Sequence, residues 1–240
     1  MVALVQRMDH CPYPEVARYL ASLAQLPPTP ARAEATRPDR AYQSYTRTLR
    51  LDPYAPLLAE KGICTQTARH FEAGAYQGPG FLQRCVAIRL HDPDGLPLGY
   101  AGRRLDPAQA RQYGKWKFPP GLPKRQILYG FHRLRSRLPQ GLAVVECPWG
   151  VMRLAQIGIP AVALLGIHLS PTQLQLLRRT PRIVLMLDGD QAGRSASRQI
   201  ADTLNQYTAS PVHRIDLPPG LDPDDLDDFE LSRRLLPLLG

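Results

Sequence analysis

No apolar run of about 18 residues occurs in this sequence, so a membrane-spanning helix is not expected. No basic start leads into a short apolar segment and a small-residue cleavage site, so a secretory signal is not expected either. Cysteine is sparse: Cys11, Cys64, Cys85 and Cys147 are scattered and form no Cys-x-x-Cys pair. That argues against both a paired-cysteine zinc site and a disulfide framework, and makes a reducing cytoplasm the expected setting. His10 and Cys11 are neighbours without a second ligand pair, which reads as incidental, so no zinc is expected in this chain. No serine or cysteine sits beside a partnered base as a nucleophile would, and no internal repeat is present. Acids are outnumbered, with 21 Asp and Glu against 30 Lys and Arg, giving a net charge of +9 and a pI near 9.7. An excess of that sign points to a polyanionic partner, because neutralising phosphates releases their counterions. What remains is ordinary for a globular protein: 240 residues, 44% of them hydrophobic, enough to bury one large core or two small ones.

The positive charge is local. Between positions 103 and 137 stand ten basic residues (Arg103, Arg104, Arg111, Lys115, Lys117, Lys124, Arg125, Arg133, Arg135 and Arg137) against one acid, Asp106. Tyr113, Trp116, Phe118 and Tyr129 are interleaved with them, a pattern expected of a surface that holds phosphates and stacks bases. Composition alone leaves a solvated basic face with core aromatics equally open.

Upstream, residues 1–26 carry an amphipathic helical pattern with Pro14 at its first turn, and 27–41 shift to a Pro, Ala, Thr and Arg linker. Helical spacing returns from Tyr54 to Phe71, with Gly62 ending one helix and Thr65 capping the next. Cys85–Leu90 and Leu96–Ala101 read as strands, joined through the turn Asp92-Pro93-Asp94-Gly95 into a hairpin. Downstream the pattern alternates. Continuous Val, Ile and Leu runs at 142–145 and 182–187 read as strands buried on both faces. Between them lie a helix over Val151–Ile157, a strand over Ala161–Leu165, and a helix with Ser170 and Pro171 at its start. A helix bearing Ala196, Ile200, Ala201 and Leu204 and a strand over Val212–Ile215 follow.

The acids fall at the carboxyl ends of these strands. Glu146 closes the first run, Asp188-Gly189-Asp190 closes the second, and Asp222 and Asp224 lie in Gly220-Leu221-Asp222-Pro223-Asp224 near the end. In an open α/β sheet the crevice beyond the strand ends is where ligands bind. A glycine between two aspartates lets the backbone turn sharply, so both carboxylates can address one site. Clustered hard oxygens suit Mg²⁺, which takes one or two carboxylates and shares the rest of its shell with water and phosphate. Each acid also has a structural reading. Glu146 can be a polar residue where a strand leaves the core, Asp190 can be a helix N-cap, and most of the seven acids from Asp216 to Glu230 can be solvated surface.

Taken in order, Glu146, Asp188-Gly189-Asp190-Gln191-Ala192-Gly193-Arg194 and Leu217-Pro218-Pro219-Gly220-Leu221-Asp222-Pro223-Asp224 resemble the Toprim domain of bacterial-type primases, topoisomerases and some nucleases. Three further stretches, Gly99–Arg104, Tyr113–Pro119 and Lys124–Gly130, resemble the basic motifs of the primase polymerase domain. The resemblance implies a Toprim-like parallel-sheet α/β domain over 139–240, preceded by a smaller α+β basic subdomain over 42–138. Residues 1–26 resemble the exit of a primase zinc-ribbon module. It also implies a DNA primase making short RNA primers on single-stranded DNA by Mg²⁺- or Mn²⁺-dependent phosphoryl transfer. Glu146, Asp188 and Asp190 would be catalytic, and these with Asp222 and Asp224 would hold metal. Arg103, Lys115 and Lys124 would bind nucleotide and template, with Lys117 a rival for Lys115 because Phe118 breaks the family's register.

The implied partners are a single-stranded DNA template, ribonucleoside triphosphates, and a zinc-ribbon protein or helicase acting in trans, with no membrane. A plasmid, phage or other mobile element is the expected source, and no helicase-docking bundle is expected after Gly240. Two departures, Cys147 in place of the family's Gly and Gly150 in place of an acid, imply weakened activity. The alternatives are a Toprim nuclease, which would activate water with the same acids, and a non-catalytic nucleic-acid-binding protein.

Overall fold

The computed structural model describes residues 42–134 and 139–240. The helical pattern at 1–26, the linker at 27–41, His10, Cys11, Arg135 and Arg137 lie outside the described residues. The described chain begins with two short helices, α1 (Pro56–Glu60) and α2 (Thr65–His70). Gly62 separates them at φ +65°, a conformation that costs glycine little. The residue capping α2 is Cys64, one position before the expected Thr65, and its side chain makes no capping bond.

An antiparallel sheet follows in the order β1 (Ala73–Tyr76), β2 (Cys85–His91), β3 (Pro97–Arg104), β4 (Trp116–Lys117). The β2–β3 turn is held by Asp92, whose Oδ1 accepts from the backbone of Asp94 and Leu96, and Gly95 takes φ +91°. Helix α3 (Pro107–Tyr113), capped by Asp106, sits between β3 and β4.

The second sheet is parallel, in the order β6 (Ala161–Ala163), β5 (Leu142–Val145), β7 (Ile183–Leu185), β8 (Val212–Arg214). Its crossovers are α4 (Pro148–Gln156), α5 (Pro171–Leu177) and α6 (Gln191–Tyr207), and α7 (Asp228–Leu239) ends the chain. Every residue of β5, β6 and β7 is buried, as continuous apolar runs require. Leu142, Val144, Ile183 and Leu185 pack with Leu177, Ile200 and Leu204 of α5 and α6. Ala143, Val145 and Val184 belong to a second cluster, which includes Met152 of α4 and Leu231 and Leu235 of α7.

That second cluster continues without a break into Leu58, Val86 and Ile88 of the first lobe, so the two sheets share one core. The open edge of β6 is closed by Tyr129, which exchanges backbone hydrogen bonds with Ala163 at 2.9 and 3.0 Å. Buried Gln173 ties the same strip down, donating to the carbonyls of Ile127 and Leu164. Tyr129 is therefore a core residue, 4% exposed and stacked on Phe71 at 6.0 Å, and cannot stack bases as the sequence pattern suggested.

Candidate active site

The crossover from β5 to β6 runs one way across the sheet and the crossover from β6 to β7 returns past β5. The strand order therefore reverses between β5 and β7, which is where the crevice of an open α/β sheet lies. Glu146 leaves β5 and Asp188 follows β7 at the carboxyl ends of this pair. The loop carrying the third motif is drawn onto this point by backbone contact. Gly189 N donates to Leu221 O at 2.8 Å, and a Cβ at Gly189 would lie 2.1 Å from Pro218 O. Gly189 thus serves close approach of two loops rather than a turn at positive φ. Gly193 does the same one turn later, where a Cβ would lie 2.2 Å from Asp188 O. Arg194 pins the turn from outside by donating to the Gly189 carbonyl.

Glu146, Asp188, Asp190, Asp222 and Asp224 all line one cavity of about 260 Å³, together with Lys61, Arg103 and Lys115. Trp116, Phe118 and Trp149 form an aromatic wall, with the two indoles 5.0 Å apart and Trp116 6.3 Å from Phe118. The acids feel one another. Burial, then the charges of Glu146, Asp222, Asp224 and Asp190, push the Asp188 carboxyl up to about 8. Burial raises Glu146 as well, helped by Asp190 and Asp222 and opposed by Lys115. Asp222 is raised by burial and by Asp224 and Asp225.

Of the basic residues named from sequence, Arg103 and Lys115 reach this cavity. Arg103 also stands over the Trp116 ring at 5.9 Å. Lys117 and Lys124 are not on its wall; their ammonium groups stand over Phe81 at 4.5 Å and Phe118 at 4.9 Å. The family departures also find places. Cys147 lines the cavity with Sγ 3.9 Å from Asp224 Oδ1, its thiol pushed well up by burial. At Gly150 a Cβ would lie 3.1 Å from Val145, so an acid there would have to displace β5 packing.

Of the seven C-terminal acids, Asp216, Asp225, Asp227 and Asp228 are exposed, as expected of a solvated surface, yet several also hold a partner. Asp225 Oδ2 accepts from Asp222 N, Asp227 caps α7, and Asp228 pairs with Arg153 at 2.8 Å. Asp190 is a cap too, its Oδ1 accepting from Gly193 N at 2.7 Å while the residue lines the cavity. Five cavity residues, Lys61, Pro148, Trp149, Leu165 and Gly166, were not expected. Pro148 is the N1 residue of α4 and starts that helix three positions before the apolar pattern does.

The donors suit a hard divalent cation in kind: all five are carboxylates, and Asp188 Oδ1 is buried without a hydrogen-bond partner among the described residues. No group of three His, Cys, Asp or Glu side chains among the described residues is already gathered as a metal cluster. Asp190 and Asp224 are held elsewhere, by Gly193 and Lys61.

Residues 143–227 match the Toprim-like family. A DNA primase of Legionella pneumophila is 35% identical over 160 residues, which cover 64% of this chain and 28% of that protein. A solved DNA primase domain from Pseudomonas aeruginosa aligns with a TM-score of 0.59 at 27% identity, covering 75% of this chain and 67% of that one. Over 143–227 the chain carries a Toprim-like core, similar to that of bacterial-type primases. A DnaG primase catalytic domain solved with bound single-stranded DNA also aligns with this core and its basic lobe, with a TM-score of 0.60 at 26% identity over 75% of this chain and 67% of that one. The chain spans less than a third of the length of the Legionella primase. Among the described residues, no helix is long and apolar enough to cross a membrane.

Proposed function

We propose that this Toprim core joins ribonucleotides on a single-stranded DNA template, as a DNA primase. One observation carries the reading: the acids of all three motifs line a single cavity together with Arg103 and Lys115. A wall of carboxylates alone would repel a triphosphate, and a wall of cations alone would offer no seat for a metal. In the reaction a 3′-hydroxyl attacks the α-phosphorus of the incoming nucleotide: a new P–O bond forms, the bond from the α-phosphorus to the bridging oxygen breaks to release pyrophosphate, and the hydroxyl proton passes to water. A divalent cation, Mg²⁺ or Mn²⁺, held by Glu146, Asp188 and Asp190 with Asp222 and Asp224, would supply Lewis acidity toward the hydroxyl and the triphosphate.

The chain's own residues do the positioning. Arg103 and Lys115 line the same cavity as the acids, where they would seat phosphate oxygens of the nucleotide. Trp116 and Phe118 offer flat faces to a base beside them. Lys117 and Lys124 stand outside the cavity over aromatic rings, a place suited to the template strand rather than the triphosphate. Buried Trp149 and Leu165 on the cavity wall limit water at the reacting atoms. Single-stranded DNA is bound in the aligned DnaG structure, which supports the same class of template here.

The direct assay uses a single-stranded template, labelled ribonucleotides and Mg²⁺ or Mn²⁺, with and without an added zinc-ribbon protein. Short products are expected from the wild type and none from Asp188→Ala. No product in any arm from folded protein would refute the proposal. Cleavage of DNA without nucleotides would instead establish the nuclease reading, which leaves the basic lobe unexplained.

A further inference from the structure

Lys61 lies in the turn after α1, in the antiparallel lobe, yet its ammonium reaches into the acid cavity of the Toprim core. It stands 2.5 Å from Asp224 Oδ2 and 3.6 Å from Asp225 Oδ1. The Asp224 side chain is 2% exposed and that of Lys61 22%. A carboxylate so buried needs a counter-charge. Besides Lys61, the Cys147 thiol stands 3.9 Å away, a weak donor, and the more distant Arg103 adds positive charge from the same cavity wall.

The base of Lys61 is fixed as well. The Gly62 carbonyl accepts from Arg153 at 3.1 Å and from Gln156 at 2.8 Å, both on α4. Arg153 donates onward to Leu226 O at 3.0 Å and pairs with Asp228. The ammonium is thus delivered to the third acidic motif by a turn anchored to the same helix that follows Glu146.

We propose that Lys61 is a built-in counter-ion that competes with the divalent cation for Asp224: it occupies that carboxylate in the free protein and releases it when the cation arrives. This deepens the reading of the cavity as a cation site and rests on it. Lys61 is a positioning residue here, and the exchange moves no proton: one ammonium leaves a carboxylate as a cation replaces it. The arrangement accounts for the acids sharing a cavity without being gathered as a cluster, because one of them is already neutralised from the other lobe.

The chain has two tryptophans, Trp116 and Trp149, and both line the cavity, so terbium bound there reports through indole-sensitised luminescence. Terbium titration and its displacement by Mg²⁺ are compared for wild type, Lys61→Met and Lys61→Arg. Removing the ammonium takes away the nearest counter-charge of a buried carboxylate, so Lys61→Met should bind the ion roughly tenfold more tightly, with Lys61→Arg close to wild type. Equal or weaker binding by folded Lys61→Met would overturn the proposal. Absence of terbium binding in every form would instead sink the cation site itself. Should Lys61→Met fail to fold, reductive methylation of wild-type Lys61 decides: Mg²⁺ should speed its modification several-fold, and an unchanged rate would refute the exchange.

Discussion

Replacing Asp188 with Asn should make the protein more stable and inactive at once, with the gain depending on pH in a direction the site dictates. The Asp188 carboxyl is pushed from an ordinary 3.8 to about 8, by burial first and then by Glu146, Asp222, Asp224 and Asp190. In the unfolded chain it ionises above 3.8, whereas in the folded metal-free protein it holds its proton until about 8. Stability is therefore lost as pH rises between those values, and the loss is complete above about 8. The full gap would amount to about 5–6 kcal/mol. Partial exposure and sharing of the shift among coupled acids reduce that to roughly 2–3 kcal/mol. Asparagine keeps the shape and cannot ionise, so in EDTA at pH 8 the variant should melt roughly 4–10 °C above wild type. The difference should vanish as pH falls toward 4. Millimolar Mg²⁺ should raise the wild-type melting temperature and leave the variant's nearly unchanged. A variant that melts at or below wild type in EDTA at pH 8, or with a difference indifferent to pH, would refute the electrostatic argument.

In the primer-synthesis assay, Lys115→Ala should lower kcat/KM by roughly a hundredfold and Lys117→Ala by less than tenfold, since Lys115 alone of the two lines the acid cavity. Equal losses would mean that the cavity wall does not decide which lysine meets the triphosphate. Gly189→Ala places a Cβ 2.1 Å from the Pro218 carbonyl, so it should cost about 2 kcal/mol or more by chemical denaturation and lower activity with it; a neutral substitution would show that the two loops are not in contact. Acid should destabilise the antiparallel lobe through His132, whose imidazole stacks 4.2 Å from His91 and is depressed to about 4 by burial, then by His91 and Arg133, with Asp92 opposing. The neutral ring is favoured in the fold, so its contribution is complete above 6.5 and lost as pH falls from 6.5 toward 4. After allowance for partial exposure this is worth roughly 1–2 kcal/mol, and His132→Phe should flatten the slope of melting temperature against pH in that window.

The parallel sheet was legible because its strands are apolar without interruption, a pattern that survives every detail of packing. The hairpin was legible because Asp92, Pro93 and Gly95 act within five residues of one another. Terminal helix α7 carries its signal too, in Leu231, Leu235 and Leu239 at helical spacing, but the acids ahead of it read as solvated surface. Asp225, Asp227 and Asp228 are exposed as that reading requires, but each also holds backbone or Arg153, and none of those partners is visible as a pattern in sequence. Tyr129 failed the opposite way. An aromatic among basic residues looks the same whether it stacks a base or closes a sheet edge, and only its backbone pairing with Ala163 distinguishes the two.

Lys61 shows most clearly where one-dimensional reading stops. Nothing near it in sequence is acidic except Glu60, and its partners Asp224 and Asp225 lie more than 160 residues away. Those partners are in reach because two sets of backbone contacts close independently. The Gly62 carbonyl is held by Arg153 and Gln156, which fixes the turn of the first lobe on α4. The Gly189 amide is held by Leu221, which fixes the third motif on the carboxyl end of β7. Neither contact involves a cavity carboxylate, yet together they set which charges face one another inside it. The site therefore depends on glycines and carbonyls that carry no charge, and a change at Gly62 or Gly189 would redistribute the electrostatics of the cavity without replacing any of its acids.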